Sequence, residues 1–384
     1  MKHVYLFNPE CDLALAHEMA MRQRGVIGTT YTPKPRAFAL AHSLAVLPAW
    51  YAPAGSCVLV GGGEARREAL QRWCDDHGRD VTVINRPPDD DLVSYHPWGW
   101  CYTTCHQLLT QGAKPDHLPL QEAESASGIE QCTRLDVLSM ASSRRNTVAI
   151  HKRVTDILGR QLCPTPVEAD AEGVTRFIEQ HPQGCYLKKL WSGSGQGIYR
   201  VRPGTTTFPP DLTQWLDGEL RKTGSVMCEV AYDRLMDMAV EYHCCEGKLE
   251  VVGYAVFNVD AHHQWESSEV DTMDSLLRRI SSVYPCFGDV VDAVTQALST
   301  VVPSFYGGFL GVDMLLYLDS DGNVAINPCV EVNLRTTMGL VAAKLPPKVP
   351  SPSRLRIIPT NQFTDKDWPL TPPDNVPFVA VVTP

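Results

Sequence analysis

The residues best equipped for chemistry lie near the end of the chain, in Glu331-Val332-Asn333-Leu334-Arg335, which follows an apolar run. Side chains alternate faces along a strand, so Glu331, Asn333 and Arg335 share one side while Val330, Val332 and Leu334 point to a core. Hard oxygen donors beside a guanidinium suit Mg²⁺ and the phosphates it bridges. Upstream, Gly311-Val312-Asp313-Met314-Leu315 carries another carboxylate on an apolar strand, and Asp319-Ser320-Asp321-Gly322 reads as the turn between the two. A three-residue hairpin loop with Gly322 left-handed pairs Asp313 with Cys329 and keeps Asp313 on the face of Glu331. An even-length loop would separate them, unless Pro328, which cannot donate to a ladder, marks a bulge. The polar edge of a ligand-free hairpin gives the same residue pattern.

A second group centres on Lys188. The run Cys185-Tyr186-Leu187-Lys188-Lys189-Leu190-Trp191 reads as a strand entering the small-residue loop Ser192-Gly193-Ser194-Gly195-Gln196-Gly197, and Ile198-Tyr199-Arg200-Val201 resumes it. Glycines admit backbone N–H groups close to phosphate oxygens, and a lysine on the preceding strand supplies a point charge for the same anion. No Gly-Lys-Ser/Thr closes the loop and no helix receives it, which argues against a Walker loop.

The order of these pieces, with the acidic strand end Val226-Met227-Cys228-Glu229 between them, resembles the ATP-grasp superfamily over roughly residues 145 to 340. The resemblance implies ATP and Mg²⁺ as cofactors, two ions in the usual case and Mn²⁺ as a substitute. It makes Lys188 a phosphate contact and Ser192, Gly193, Ser194, Gly195 and Gly197 a lid loop. It sets Glu229 at the start of the adenine hinge, Ala231 and Tyr232 along the base, and Asp237 on the ribose, with Asp233 as the alternative. Asp313, Glu331 and Asn333 match metal ligands, and Arg335 faces the transferred phosphoryl group or an acyl phosphate. A further cation before the first helix of the nucleotide half would be Lys152 or Arg153, amid the competing cations of Arg144-Arg145-Asn146.

These groups need a scaffold of some size. The 384 residues have room for two or three domains, and 44% hydrophobic content supports a substantial core. A net charge of −10 and a pI near 5.6 argue against a nucleic-acid surface. No stretch approaches the ~20 apolar residues of a membrane span, and Asn8-Pro9-Glu10 interrupts the apolar start before a signal-peptide core forms. Thirteen cysteines without a regular spacing fit reduced thiols. A cytoplasmic protein is expected. Cys101, Cys105 and His106 fall short of a zinc set, and His262-His263 reads as loop decoration.

Residues 1–140 form a separate unit. Strands at His3–Asn8, Ser56–Val60 and Arg79–Asn85, with a helix from Glu64 after Gly61-Gly62-Gly63, predict a Rossmann-like parallel sheet. Asn8, Glu10 and Asp12 emerge where open α/β sheets bind ligands, so they are candidates for holding a substrate; helix capping by Asp12 is the alternative. Pro97-Trp98-Gly99-Trp100 either walls a pocket or packs a domain junction. The Ser-rich stretch 125–146 reads as a linker, residues 147–160 and 171–180 as helices, and Val240–Val256 as antiparallel strands around Glu246-Gly247. A partly helical polar stretch spans 258–284, an amphipathic helix 287–302, and Phe378–Val382 an edge strand. The expected architecture combines α/β and α+β parts: an N-terminal parallel-sheet domain, then an ATP-grasp fold divided into 141–224, with Lys188 and the loop, and 225–384, with the metal site.

What the resemblance implies chemically is ATP-dependent ligation. A substrate carboxylate becomes an acyl phosphate and is captured by an amine, both supplied as small molecules or a peptide. A homodimer is compatible with it. A kinase on the same fold and a catalytically silent nucleotide-binding module are the competing classes.

Overall fold

The computed structural model describes residues 1–123, 132–193, 197–261, 263–346 and 352–384. Three sheets organise them. The first is parallel and comprises β1 (Lys2–Leu6), β2 (Ser56–Leu59), β3 (Val81–Ile84) and β4 (Val93–Pro97) in the order β3-β2-β1-β4. The chain steps one way from β1 to β3 and then returns to the other side of β1. The ends of β1 and β4 therefore border a topological switch point, where such sheets bind ligands.

A small antiparallel sheet contains β5 (Val167–Ala169), β6 (Cys185–Lys188), β7 (Ile198–Val201) and β8 (Val226–Val230), ordered β5-β8-β6-β7. Helices Ala171–Gln180 and Pro210–Thr223 cover it through Phe177, Ile178, Leu212 and Leu216. The division expected at residue 224 is corrected to follow Val230, because β8 pairs with the lysine strand β6.

The largest sheet follows: β9 (Asp233–Cys245), β10 (Lys248–Val259), β11 (Trp265–Val270), β12 (Gly308–Leu318), β13 (Val324–Asn333), β14 (Ser353–Pro359), β15 (Trp368–Pro369) and β16 (Phe378–Thr383). Their order is β13-β12-β9-β10-β11-β14-β16-β15. Glu246 and Gly247 both take positive φ and make the tight turn between β9 and β10. One face of this sheet is dry. Helices Asn146–Leu158, Met273–Val283 and Phe287–Leu298 bury Ile150, Ile280, Phe287, Val290 and Val294 against Val240, Val312 and Ile326.

Several expectations change. Residues 134–141 form a helix, opened by a capping box between Thr133 and Asp136. The 258–284 stretch supplies β11 as well as a helix. Strand β16 is not an edge, since the two-residue β15 pairs along its outer side. Packed beside Met338, Val341 and Trp98, it also belongs to the core joining the first and last sheets.

Candidate functional site

A cavity of about 250 Å³ lies between the large sheet, the small sheet and the switch point of the first. Strand β9 lays Asp237, Ala239 and Glu241 along its floor, with Asp313 and Leu315 from β12 and Asn327 and Glu331 from β13 beside them. Lys188 and Glu229 enter from the small sheet, and Asp12 and Trp98 from the segments that follow β1 and β4.

The hairpin β12–β13 explains how Asp313 and Glu331 meet. At its tip Gly322 is left-handed, and the Asp319 N–H donates to the Asn323 carbonyl, as an odd-length loop requires. Leu315 pairs with Asn327, the register expected from that loop. The ladder then shifts across Pro328, and Asp313 ends directly opposite Glu331, not opposite Cys329. Proline cannot donate to the ladder, and the irregularity falls where it stands. Val332 and Leu334 are buried in the core as expected, whereas Val330 is turned to the cavity wall.

Two facing carboxylates repel, and burial adds to this. Asp313 is pushed up to about 7, first by burial and then by Glu331. Two carboxylates with the Asn333 amide form a hard donor set that a divalent cation would satisfy. Among the described residues no group of three His, Cys, Asp or Glu side chains makes a self-contained metal site. The remaining ligands would come from phosphate oxygens and water, as is usual for Mg²⁺.

Each cation here is held by an anion of the chain. Lys188 Nζ lies 2.5 Å from Glu229 Oε2, with both side chains buried. Arg144 donates to Glu331 Oε1 at 2.6 Å, and also to the Ser192 hydroxyl at 2.5 Å and the Lys189 carbonyl at 2.9 Å. Arg335 donates from Nε to both oxygens of Asp12, at 3.0 and 2.9 Å, and from Nη2 to Asn333 Oδ1 at 2.9 Å. A polyanion entering with a cation could exchange these partners without leaving any charge unpaired.

Lys188, Glu229, Tyr232, Asp237, Asp313, Glu331, Asn333 and Arg335 line the one cavity, and Asp12 joins them. Asp237 is paired with Arg234, and burial raises its carboxyl. Ala231 does not line the cavity; its N–H donates to the Gly184 carbonyl, and Val230 takes its place on the wall. Lys152 is not in the site either, nor is Arg153. Both are exposed on the helix Asn146–Leu158, and Arg144 is the cation that enters from this region.

Ser192 does not line the cavity; its hydroxyl accepts from Arg144, which does. A β-carbon on Gly193 would collide with the Asp12 carboxylate, so glycine is needed for that approach. Gly197 is left-handed and its carbonyl accepts from the Lys189 N–H, closing the hairpin neck. Ser194 and Gly195 lie outside the described residues.

Of the three substrate candidates, Asn8 is corrected to a structural role. It is 3% exposed, and its amide donates to the Gly99 carbonyl and the Thr104 hydroxyl, both at 2.8 Å. Glu10 is also buried and lines no part of the cavity, and burial raises its carboxyl. Only Asp12 reaches the site. Trp98 does both things expected of it, walling the cavity and stacking edge-on against Phe7 at the junction. His263, read as loop decoration, meets the Tyr186 ring edge-on in the cavity wall.

Glu241 went unseen in the sequence. A glutamate inside the apolar run Met238-Ala239-Val240-Glu241-Tyr242 was its signal. It is 1% exposed, its Oε1 accepts from the Thr337 hydroxyl at 2.7 Å, and its Oε2 has no partner. Burial pushes it up to about 8.

No protein-family model matches the sequence, and no curated protein matches it. Solved structures do. Biotin carboxylase from Campylobacter jejuni, in complex with βγ-ATP, superposes over 100% of this chain and 87% of its own, with a TM-score of 0.53 at 11% identity. N5-carboxyaminoimidazole synthetase from Staphylococcus aureus with ADP covers 100% and 92%, with a TM-score of 0.49 at 10% identity. A parallel sheet at the N-terminus, a small antiparallel sheet bearing the lysine and a large antiparallel sheet bearing the facing carboxylates, together with the first of these likenesses, give this chain the ATP-grasp fold.

Proposed function

We propose that this chain is an ATP-dependent ligase that activates a substrate carboxylate as an acyl phosphate and joins it to an amine. The observation that carries the reading is the convergence of Lys188, Arg335 and the facing pair Asp313–Glu331 on one cavity. Asp313, Glu331 and Asn333 would hold Mg²⁺, which would supply positive charge to offset that of the phosphates. Lys188 offsets charge on the triphosphate, with Glu229 holding the ammonium in place until the nucleotide arrives. Asp237 accepts from the ribose hydroxyls, and Tyr232 and Val230 flank the base. Arg335, fixed by Asp12 and Asn333, presents its guanidinium to the acyl phosphate.

No protein nucleophile is required. The carboxylate oxygen attacks the γ-phosphorus and ADP leaves; the amine then attacks the acyl carbon, phosphate leaves and the proton passes to solvent. Catalysis of this kind is positioning and electrostatic stabilisation. Acid and acceptor are small molecules or a peptide. No helix among the described residues is long and apolar enough to cross a membrane, and the abundance of cysteine fits a reducing, cytoplasmic setting.

The test is isotope transfer across a panel of acids and amines. Oxygen-18 passing from the carboxylate into released phosphate supports ligation. A phosphorylated product without ligation would make the chain a kinase, and absence of any ATP turnover across the panel would make it a binding module.

A further inference from the structure

Glu241 is the one buried acid of the cavity that the proposed ligation leaves without a task. Along β9 the floor runs from Asp237 through Ala239 to Glu241, four residues, or about 13 Å at ~3.3 Å per residue. Asp237 marks the nucleotide end, and Asp313 pairs with Ala239 between the two. Glu241 therefore lies beyond the facing carboxylates, on the side away from the nucleotide. Ala255 and Met338 give that end apolar surface.

The chain approaches this carboxylate closely. A β-carbon on Gly339 would collide with Oε1, and one on Gly311 would lie 2.8 Å from Oε2. Two glycines thus make room for an acid where a smaller apolar residue would fill the same floor. Its neighbours supply one hydrogen bond, from Thr337, and no ion pair within contact distance. Arg335, whose charge is felt there, spends its donors on Asp12, Asn333 and the Thr336 carbonyl. Glu241 lines the cavity, and a buried carboxyl oxygen with no hydrogen-bond donor is costly unless a ligand completes it.

We propose that Glu241 anchors the ammonium group of the acceptor, and that the acceptor is a compact primary amine with an apolar body. This rests on the ligase reading for the word acceptor, but not for the binding itself. The competing role is purely structural: Thr337 caps the helix Met338–Lys344 by accepting from the Leu340 N–H while donating to Glu241. Glutamine separates the two roles, because it retains Oε1 as acceptor and the side-chain volume while losing the charge.

The experiment compares the full chain with its Glu241→Gln variant by calorimetric titration with benzylamine and n-pentylamine, and with the neutral isosteres benzyl alcohol and n-pentanol. Wild type should bind each amine at least ~10-fold more tightly than its alcohol, the scale of a charge-assisted hydrogen bond, and Glu241→Gln should lose that preference while remaining folded. Equal binding of amine and alcohol by wild type, or a preference that survives in Glu241→Gln, overturns the proposal. If the variant does not fold, a crystal structure of wild type with benzylamine decides. An ammonium within hydrogen-bond distance of Glu241 supports the anchor, and one elsewhere, or none, sinks it. ADP binding to wild type, measured separately, tests the nucleotide reading; its failure would leave the amine comparison readable.

Discussion

Arg335 and Asp12 are 323 positions apart in the chain, and the guanidinium grips the carboxylate through Nε and Nη2 at 2.8 to 3.0 Å. The pair joins the first sheet to the last at the cavity wall, with 14% and 22% of the two side chains exposed. Asp12→Asn leaves the guanidinium without its counter-charge, so the variant should lose about 1–3 kcal/mol of stability, the scale for an unsatisfied charged group. Urea unfolding checks this. No shift in midpoint would show that the two domains are held by apolar packing alone.

Lys188 and Glu229 are more deeply buried, at 8% and 6% exposure. Lys188→Met strands the glutamate and should cost about 3–5 kcal/mol, whereas Lys188→Met with Glu229→Leu should recover most of that loss, because a buried pair is often replaceable by apolar residues. Nucleotide affinity should stay low in both. Denaturation and ADP titration, run on the same samples, separate the stability role from the binding role.

Glu331→Gln keeps the volume and removes one charge from the facing pair. Turnover of Mg·ATP should fall at least ~100-fold, the scale for losing one electrostatic stabiliser. Rates within a few-fold of wild type would take Glu331 out of the machinery.

Two raised carboxyls set a pH dependence. Burial, and then Glu331, hold Asp313 at about 7, and burial holds Glu241 at about 8. Both bind protons more tightly folded than unfolded. The stability they contribute is present below the ordinary carboxylate range and is lost as pH rises through 7 and 8. The ligand-free chain should therefore melt lower at pH 8.5 than at pH 6. Glu241→Gln should flatten part of that slope, and Mg·ADP should flatten the part due to Asp313. A melting temperature that rises over the same interval would contradict both assignments.

Much of this site could be read from strand periodicity. The face shared by Glu331, Asn333 and Arg335, the lysine strand, and an odd-length turn after Asp319 follow from local rules that tertiary packing did not override. Other features depend on distant neighbours. Glu241 sits in a run that reads as core, and its role depends on Gly311 and Gly339, which lie 70 or more residues away. Arg144 could not be chosen among neighbouring cations, because only the packing of the turn before the helix Asn146–Leu158 brings it inward and leaves Lys152 outside. Asn8 looked like a recognition group because its partners, Gly99 and Thr104, arrive from the loop and helix that follow β4. β11 escaped because its polar residues are covered by pairing on both sides with β10 and β14.

The shift at Pro328 divides the β12–β13 hairpin into two segments with different tolerances. Lengthening the tip by whole pairs of rungs leaves the carboxylates in place, since the irregularity lies inward of it. Removing one residue between 328 and 330 would rotate Glu331 to the opposite face while leaving its composition intact. Natural length variation in this hairpin should then accumulate at 319–323 and stop short of the proline, a pattern that an alignment of variants could reveal without any assay.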